Sequence, residues 1–265
     1  LGRDRYVRNR LLGHAASVPA PVFPWWGNKK RLAAALASIV LEMQDALGSK
    51  ARVVSPFAGT AVVEGTLRNL GADVVAYDLD ANVVNMHHTL ASAKSRAHAV
   101  RLLHAEVTRL RRATPTAQRK ALCHKAVPAT REARALQAVR WNLGTRCSFL
   151  GMLRPGSAPM LQKLQSLRVP TIERAFLKHR GIGACCQRAD AFSVVRAARR
   201  NDLLFLDPPY LLERKEGQYV AGDFDLKQHK RLAGALRGRN FLLCHREDAQ
   251  IRRLYESWCD VHLLP

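Results

Sequence analysis

Carboxylates are scarce in this sequence. Its 265 residues hold 43 Lys and Arg against 21 Asp and Glu, a formal net charge of +22, which repels itself across a compact body unless a polyanion shares the surface. Nucleic acid is therefore the expected partner. Paired cysteine spacing is missing too: none of Cys123, Cys147, Cys185, Cys186, Cys244 and Cys259 forms a CxxC pair, and two adjacent thiols such as Cys185 and Cys186 are poorly placed to chelate one zinc ion tetrahedrally. No metal is expected, and the thiols read as reduced groups of an intracellular protein. No run approaches the roughly 18 apolar residues of a membrane span, and no apolar segment follows Arg3, Arg5, Arg8 and Arg10 as it would in a secretory signal. A cytoplasmic, nucleoid-associated protein away from the membrane is the expectation. Internal repeats and low-complexity tracts are absent, which sets aside solenoids and long disordered tails. The sequence opens on Leu1 and stops at Pro265 after an apolar stretch, and reads as trimmed at one end or the other.

What is present is an ordinary globular composition, 48% hydrophobic and 24% charged, at a length that suits one α/β domain carrying a sizeable insertion. The basic excess is local. Residues 91–190 hold 20 Lys and Arg against 4 Asp and Glu, whereas residues 51–90 hold 2 against 4. Leu102, Leu103, Val107 and Leu110 recur with helical spacing through that basic stretch. A solvated helical face mixes the two signs of charge; this one barely does, and a Lys/Arg cluster so short of carboxylates is the electrostatic footprint of a phosphate-contacting surface.

Either side of the basic stretch, short apolar runs alternate with helical segments, the pattern of a mainly parallel sheet covered by helices. Residues 51–55 read as a first strand ending at Pro56, followed by the turn Phe57-Ala58-Gly59-Thr60 and a helix through Leu70 that Gly71 closes. Residues 73–77 form a second strand, then comes the acidic turn Asp78-Leu79-Asp80 and a helix over 81–90. Residues 203–206 and 240–244 are further strands, the latter after a helix over 226–237. The expected fold is a Rossmann-like α/β sheet with helices on both faces, built from residues 20–95 and 185–265, plus a basic, largely helical insert over 96–184.

Such a sheet binds ligands beyond the carboxyl ends of its strands. Gly59 lets backbone approach a ligand closely, and Asp78 sits where an acid accepts hydrogen bonds from ribose hydroxyls, although both also suit ordinary turn and cap chemistry. No GxGxxG phosphate cradle is present, which points to an adenosine without phosphates. The most specific feature is Asp207-Pro208-Pro209-Tyr210 at a strand end. Two prolines stiffen the loop and leave its carbonyls without competing donors. The exocyclic amine of a nucleobase is a poor nucleophile because its lone pair is delocalised into the ring. Acceptance of its protons by the Asp207 carboxylate and the Pro208 carbonyl favours a pyramidal, reactive nitrogen, and Tyr210 stacks on a base that has left its duplex.

With these residues in order, the chain resembles the D12 class of DNA N6-adenine methyltransferases, the family of the DNA adenine methylase. Trp25-Trp26-Gly27-Asn28-Lys29 resembles its WxGGK segment, with Asn28 in place of Gly. Pro56-Phe57-Ala58-Gly59 resembles its PFxG turn, Tyr77-Asp78-Leu79-Asp80 its D-I-N turn, and Ala189-Asp190-Ala191-Phe192 its GDF segment, while residues 207–210 match DPPY without change. The resemblance implies transfer of methyl from S-adenosylmethionine to the N6 amine of an adenine flipped out of double-stranded DNA. It implies that Trp25, Lys29, Pro56, Phe57, Gly59 and Asp78 line the cofactor site, with Asp190 at the cofactor adenine and Lys29 near the methionine carboxylate or a substrate phosphate. Asp207, Pro208, Pro209 and Tyr210 would be catalytic. Residues 141–151 distantly resemble the RTxFNGLxR segment, making Arg146, Ser148 and Arg154 candidates for DNA contact. The family continues past the last strand into a hairpin, which this sequence does not include. RNA adenine-N6 or DNA cytosine-N4 transfer shares the same acceptor logic, and a catalytically silent nucleic-acid-binding protein is the third reading.

Overall fold

The computed structural model describes residues 18–25, 27–48, 51–123, 125–151, 153, 158–179, 182–211 and 224–263. Strands β1 (Val53–Ser55), β2 (Val74–Asp78), β3 (Cys186–Arg188), β4 (Leu203–Leu206) and β5 (Asn240–Leu243) form one sheet in the order β3-β2-β1-β4-β5, each neighbouring pair parallel. The chain steps outward from β1 through β2 to β3, then crosses to β4 on the other side of β1. That reversal opens a crevice above the carboxyl ends of β1 and β4.

The helices are α1 (Ala33–Ala46), α2 (Val62–Asn69), α3 (Ala81–Thr89), α4 (Ala93–Arg112), α5 (Pro115–Leu122), α6 (Arg131–Arg146), α7 (Gln162–Gln165), α8 (Val169–Leu177), α9 (Ala191–Ala197), α10 (Leu226–Leu236) and α11 (Ala249–Tyr255). They cover both sheet faces because strand side chains alternate. Leu203 and Phe205 of β4 join Val53 and Val74 against Leu36 and Val40 of α1 and Leu67 of α2. Leu204, Leu206 and Val54 turn the other way, onto Val195 of α9, Leu232 and Leu236 of α10 and Ile251 of α11. The α/β architecture read from the apolar runs is therefore the one that forms.

One strand is new. β3 has only three residues, of which Cys186 is buried and Gln187 and Arg188 are exposed. It adds to the sheet through β2, Ala76 opposite Cys186 and Asp78 opposite Arg188, with no apolar run to announce it. Capping chemistry sets the helix starts: Asp80, Ser92, Thr114, Thr130, Asp190, Asp225 and Asp248 each accept a backbone N–H of the helix that follows.

The basic insert is helical and packs as a body around Leu103, Val107 and Leu110 of α4, Val139, Trp141 and Leu143 of α6 and Phe176 of α8. Its core is continuous with Val83 and Met86 of α3 and with Val22 and Phe23 ahead of α1. Part of its positive charge is used internally. The buried Glu106 carboxylate accepts from Arg109 Nη2 at 2.6 Å and from Arg140 Nε at 2.6 Å, and Arg111 donates to the carbonyls of Leu164, Gln165 and Leu167. Lys94, Arg101, Arg112, Arg119, Lys120 and Arg174 remain exposed. Among the described residues no helix is long and apolar enough to cross a membrane.

Candidate functional site

A cavity of about 1150 Å³, counting space open to solvent, lies above the carboxyl edge of the sheet. Six stretches of chain converge on it: the segment ahead of α1, the turns after β1 and β2, the start of α9, the loop after β4, and the residues at the start of α10. Trp25, Lys29, Pro56, Phe57, Gly59, Asp78, Asp190, Asp207, Pro208, Pro209 and Tyr210 all line it. Residues separated by up to 185 positions in the sequence are thus brought to one wall.

The turn after β1 is tightly wound. Gly59 has φ +48° and Ala61 φ +53°, the left-handed region that a residue with a Cβ enters at a cost. A Cβ on Gly59 would stand 3.1 Å from Nε1 of Trp25, so the absent side chain is what lets the indole pack over the turn. Asp78 ties this turn to the next: its Oδ2 accepts from Gly59 N and its Oδ1 from Asp80 N, both at 2.8 Å. Burial pushes its carboxyl up to about 7, against the pull of those N–H groups. From below, the buried imidazole of His87 donates from Nε2 to Gly59 O at 2.9 Å, and burial holds that ring neutral, its pKa lowered to about 4.

Aromatic faces form the opposite wall. Phe224 meets Phe57 edge-on at 5.6 Å and lies nearly parallel to Phe192 at 5.9 Å, with the Arg231 guanidinium 4.0 Å over Phe192. Asp190 caps α9 through Ser193 N at 3.0 Å while remaining exposed at the cavity edge.

Asp207 is not a free carboxylate. Lys29 Nζ lies 2.7 Å from each of its oxygens; Oδ2 accepts the aligned hydrogen bond, and Oδ1 has no donor pointed at it. A fifth of the Asp207 side chain is exposed, so the group is salt-linked and still faces the cavity. Burial pushes its carboxyl up to about 6, with Lys29 pulling the other way. Lys29 therefore sits in the D-P-P-Y corner, where the sequence resemblance suggested the methionine carboxylate or a phosphate as its neighbour.

Three further residues were not legible in the spacing. Glu64, 3% exposed in the first turn of α2, lines the cavity floor and accepts from Ser55 Oγ at 2.6 Å; burial lifts its carboxyl to about 7. Its one sequence signal is a charge inside the apolar stretch after the turn. His245 accepts from Leu211 N at 3.1 Å through Nε2 and donates from Nδ1 to Arg246 O at 2.6 Å, which pins the loop after β4 and fixes the tautomer. His229 of α10 is buried against His245 and Phe224. Neither histidine had a pattern to betray it.

The residues expected to touch DNA are placed differently. Arg146 is half-buried and donates to Asn142 Oδ1 at 2.9 Å and to Val22 O at 2.7 Å. Ser148 is buried, its hydroxyl donating to Gly144 O at 2.7 Å. Both are spent on the protein's own frame, because the segment that carries them packs inward. Arg154 lies outside the described residues, as does Trp26. Compared with known proteins, the chain matches no family model and no curated protein.

Proposed function

We propose that this chain transfers a methyl group from S-adenosylmethionine to the exocyclic N6 amine of an adenine flipped out of double-stranded DNA. One observation carries the reading: every residue singled out for cofactor and amine lines a single cavity at the switch point of a parallel sheet.

Charge adds a second line of support. Among the described residues the cavity is lined by Glu64, Asp78, Asp80, Asp190 and Asp207 against the single ammonium of Lys29, inside a chain of net charge +22. An acidic interior suits a ligand with a cationic centre and no phosphates. Cations neighbour the lining residues in the chain: Lys30 and Arg31 follow Lys29, Lys227, Lys230 and Arg231 stand exposed on α10, which carries the lining residue Gln228, and Arg246 follows β5. Cations so placed suit phosphates flanking an extruded nucleotide.

Phe57 and Phe192 would hold the adenine ring, Asp78 the ribose hydroxyls through its remaining lone pairs, and the carboxylates of the floor the cationic end. When bound, S-adenosylmethionine supplies an electrophilic methyl carbon on a sulfonium. The Asp207 carboxylate and the Pro208 carbonyl accept the two N–H groups of the target amine, turning its lone pair out of the ring. Asp207 then takes the proton that the methylated nitrogen sheds, and Tyr210 stacks on the base. The stiff prolines keep the two acceptors in register with each other.

The test is transfer from labelled S-adenosylmethionine into DNA, with the product digested to nucleosides. Label in N6-methyldeoxyadenosine is expected, and Asp207→Ala should reduce transfer by about 10²-fold or more while DNA binding persists. Label found only in RNA, or in N4-methyldeoxycytidine, overturns the substrate; DNA binding with no label overturns the reaction.

A further inference from the structure

Among the described residues Lys29 is the single cation lining the cavity, and its position is set by the turn that carries it. The turn ahead of α1 closes with Asn28 N to Trp25 O at 3.3 Å, Lys30 N to Asn28 Oδ1 at 2.7 Å and Leu32 N to Lys29 O at 2.9 Å. Gly27, at φ +78°, presents its carbonyl to the ammonium, which donates to it at 2.7 Å. The side chain is 10% exposed, and its Nζ also stands 4.9 Å over the Tyr210 ring. One donor is thereby anchored on Gly27 O, and the rest of the ammonium is directed at Asp207.

The groups facing Asp207 come from four places: Glu64 of α2, Tyr210 of its own loop, Cys244 beyond β5, and Lys29. Of these, Lys29 alone carries positive charge. Burial favours a protonated Asp207, and a protonated carboxyl gives up one acceptor oxygen to an O–H. We propose that Lys29 is a positioning residue for Asp207, its backbone-anchored ammonium holding the carboxylate in the charged form that accepts the target amine and fixing which oxygen faces the cavity. This deepens the methyl-transfer reading and rests on it. The two requirements pull on the same group: without the ammonium the carboxylate would sit closer to its protonated form, and with it the amine must share Oδ2, since Oδ1 is buried.

The titration of Asp207 tests this without any turnover. In protein labelled at the aspartate carboxyl carbon, with Asp207→Asn to assign the resonance, the wild-type midpoint is expected near 6. Lys29→Met should raise the proton affinity of Asp207 about tenfold or more, since a close opposite charge shifts a carboxyl by about 1–3 pH units. Lys29→Arg should restore it. Lys29→Gln, which keeps a donor for Gly27 O, serves as the second neutral variant should Lys29→Met fail to fold. The acid limb of the transfer profile should move to higher pH in step with the midpoint. A midpoint unmoved in both neutral variants overturns the proposal, as does loss of S-adenosylmethionine affinity in Lys29→Gln at an unmoved midpoint. Absence of transfer by the wild-type protein sinks the function instead, and the titration still judges the Lys29–Asp207 coupling by itself.

Discussion

Glu64 is a carboxyl that the fold keeps almost wholly from water, with one hydroxyl donor from Ser55. Folded, it holds its proton to about pH 7; unfolded, it releases it near 4.5. The folded state therefore binds the extra proton between those values, and stability falls as pH rises from about 4.5 to about 7, then levels off. Glu64→Gln keeps the shape and the acceptor for Ser55 but has no proton to lose. Chemical denaturation at pH 4 and pH 8 should find the variant equal to wild type at the lower pH and more stable at the higher, by on the order of 2–3 kcal/mol. The same argument explains why Glu64 escaped sequence reasoning: an acidic residue in a helix's first turn is ordinary dipole chemistry, and only burial shows that it is something else.

At the scale of elements, legibility followed apolar content. β1, β2, β4 and β5 were plain because their runs are hydrophobic, and the turns after them could be assigned chemistry because a parallel sheet faces its ligands at those ends. β3 was not plain, since two of its three residues face solvent and its place is set by pairing with β2. Within the insert, α4 was legible by the periodicity of Leu102, Leu103, Val107 and Leu110. The use of its arginines was not, because whether a guanidinium meets phosphate or a neighbour's carbonyl depends on how α4, α6 and α8 pack. Glu106 illustrates the point by joining α4 to α6 through Arg140, with Arg109 of its own helix on the same carboxylate. The two guanidiniums hold its carboxyl below its ordinary value, against the upward push of burial. That stabilisation is present at neutral pH and is lost as pH falls through the lowered folded value. Glu106→Gln should cost about 1–2 kcal/mol at pH 7, less than a fully buried pair because Arg109 is half exposed. Thermal melts of wild type and variant should converge as the solution is acidified toward pH 3.

For the whole molecule, five carboxylates line the cavity among the described residues while the chain as a whole carries a net charge of +22. Composition alone announced the positive excess and could say nothing of the acidic cavity, since the carboxylates that line it are far apart in sequence. The exposed cations Lys227, Lys230 and Arg231 share α10 with the lining residue Gln228. If phosphates flank the site there, replacing Lys227, Lys230 and Arg231 one at a time by Gln should reduce the slope of log affinity against log salt by about 1 each, without changing which base is methylated. Unchanged slopes, measured by fluorescence anisotropy on a duplex, would assign the contact to the insert's arginines alone.

The hydrophobic centre of the insert is shared with α3 and with Val22 and Phe23, and Asn142 and Arg146 of α6 both grip the Val22 carbonyl. Seven residues beyond Val22 lies Lys29, against Asp207. The arginine-rich part is therefore no detachable cassette. Replacing the segment between α3 and β3 with another would strip α3 of its cover and slacken the leash on which Lys29 is held. Any such exchange has to carry the 18–32 segment along with it.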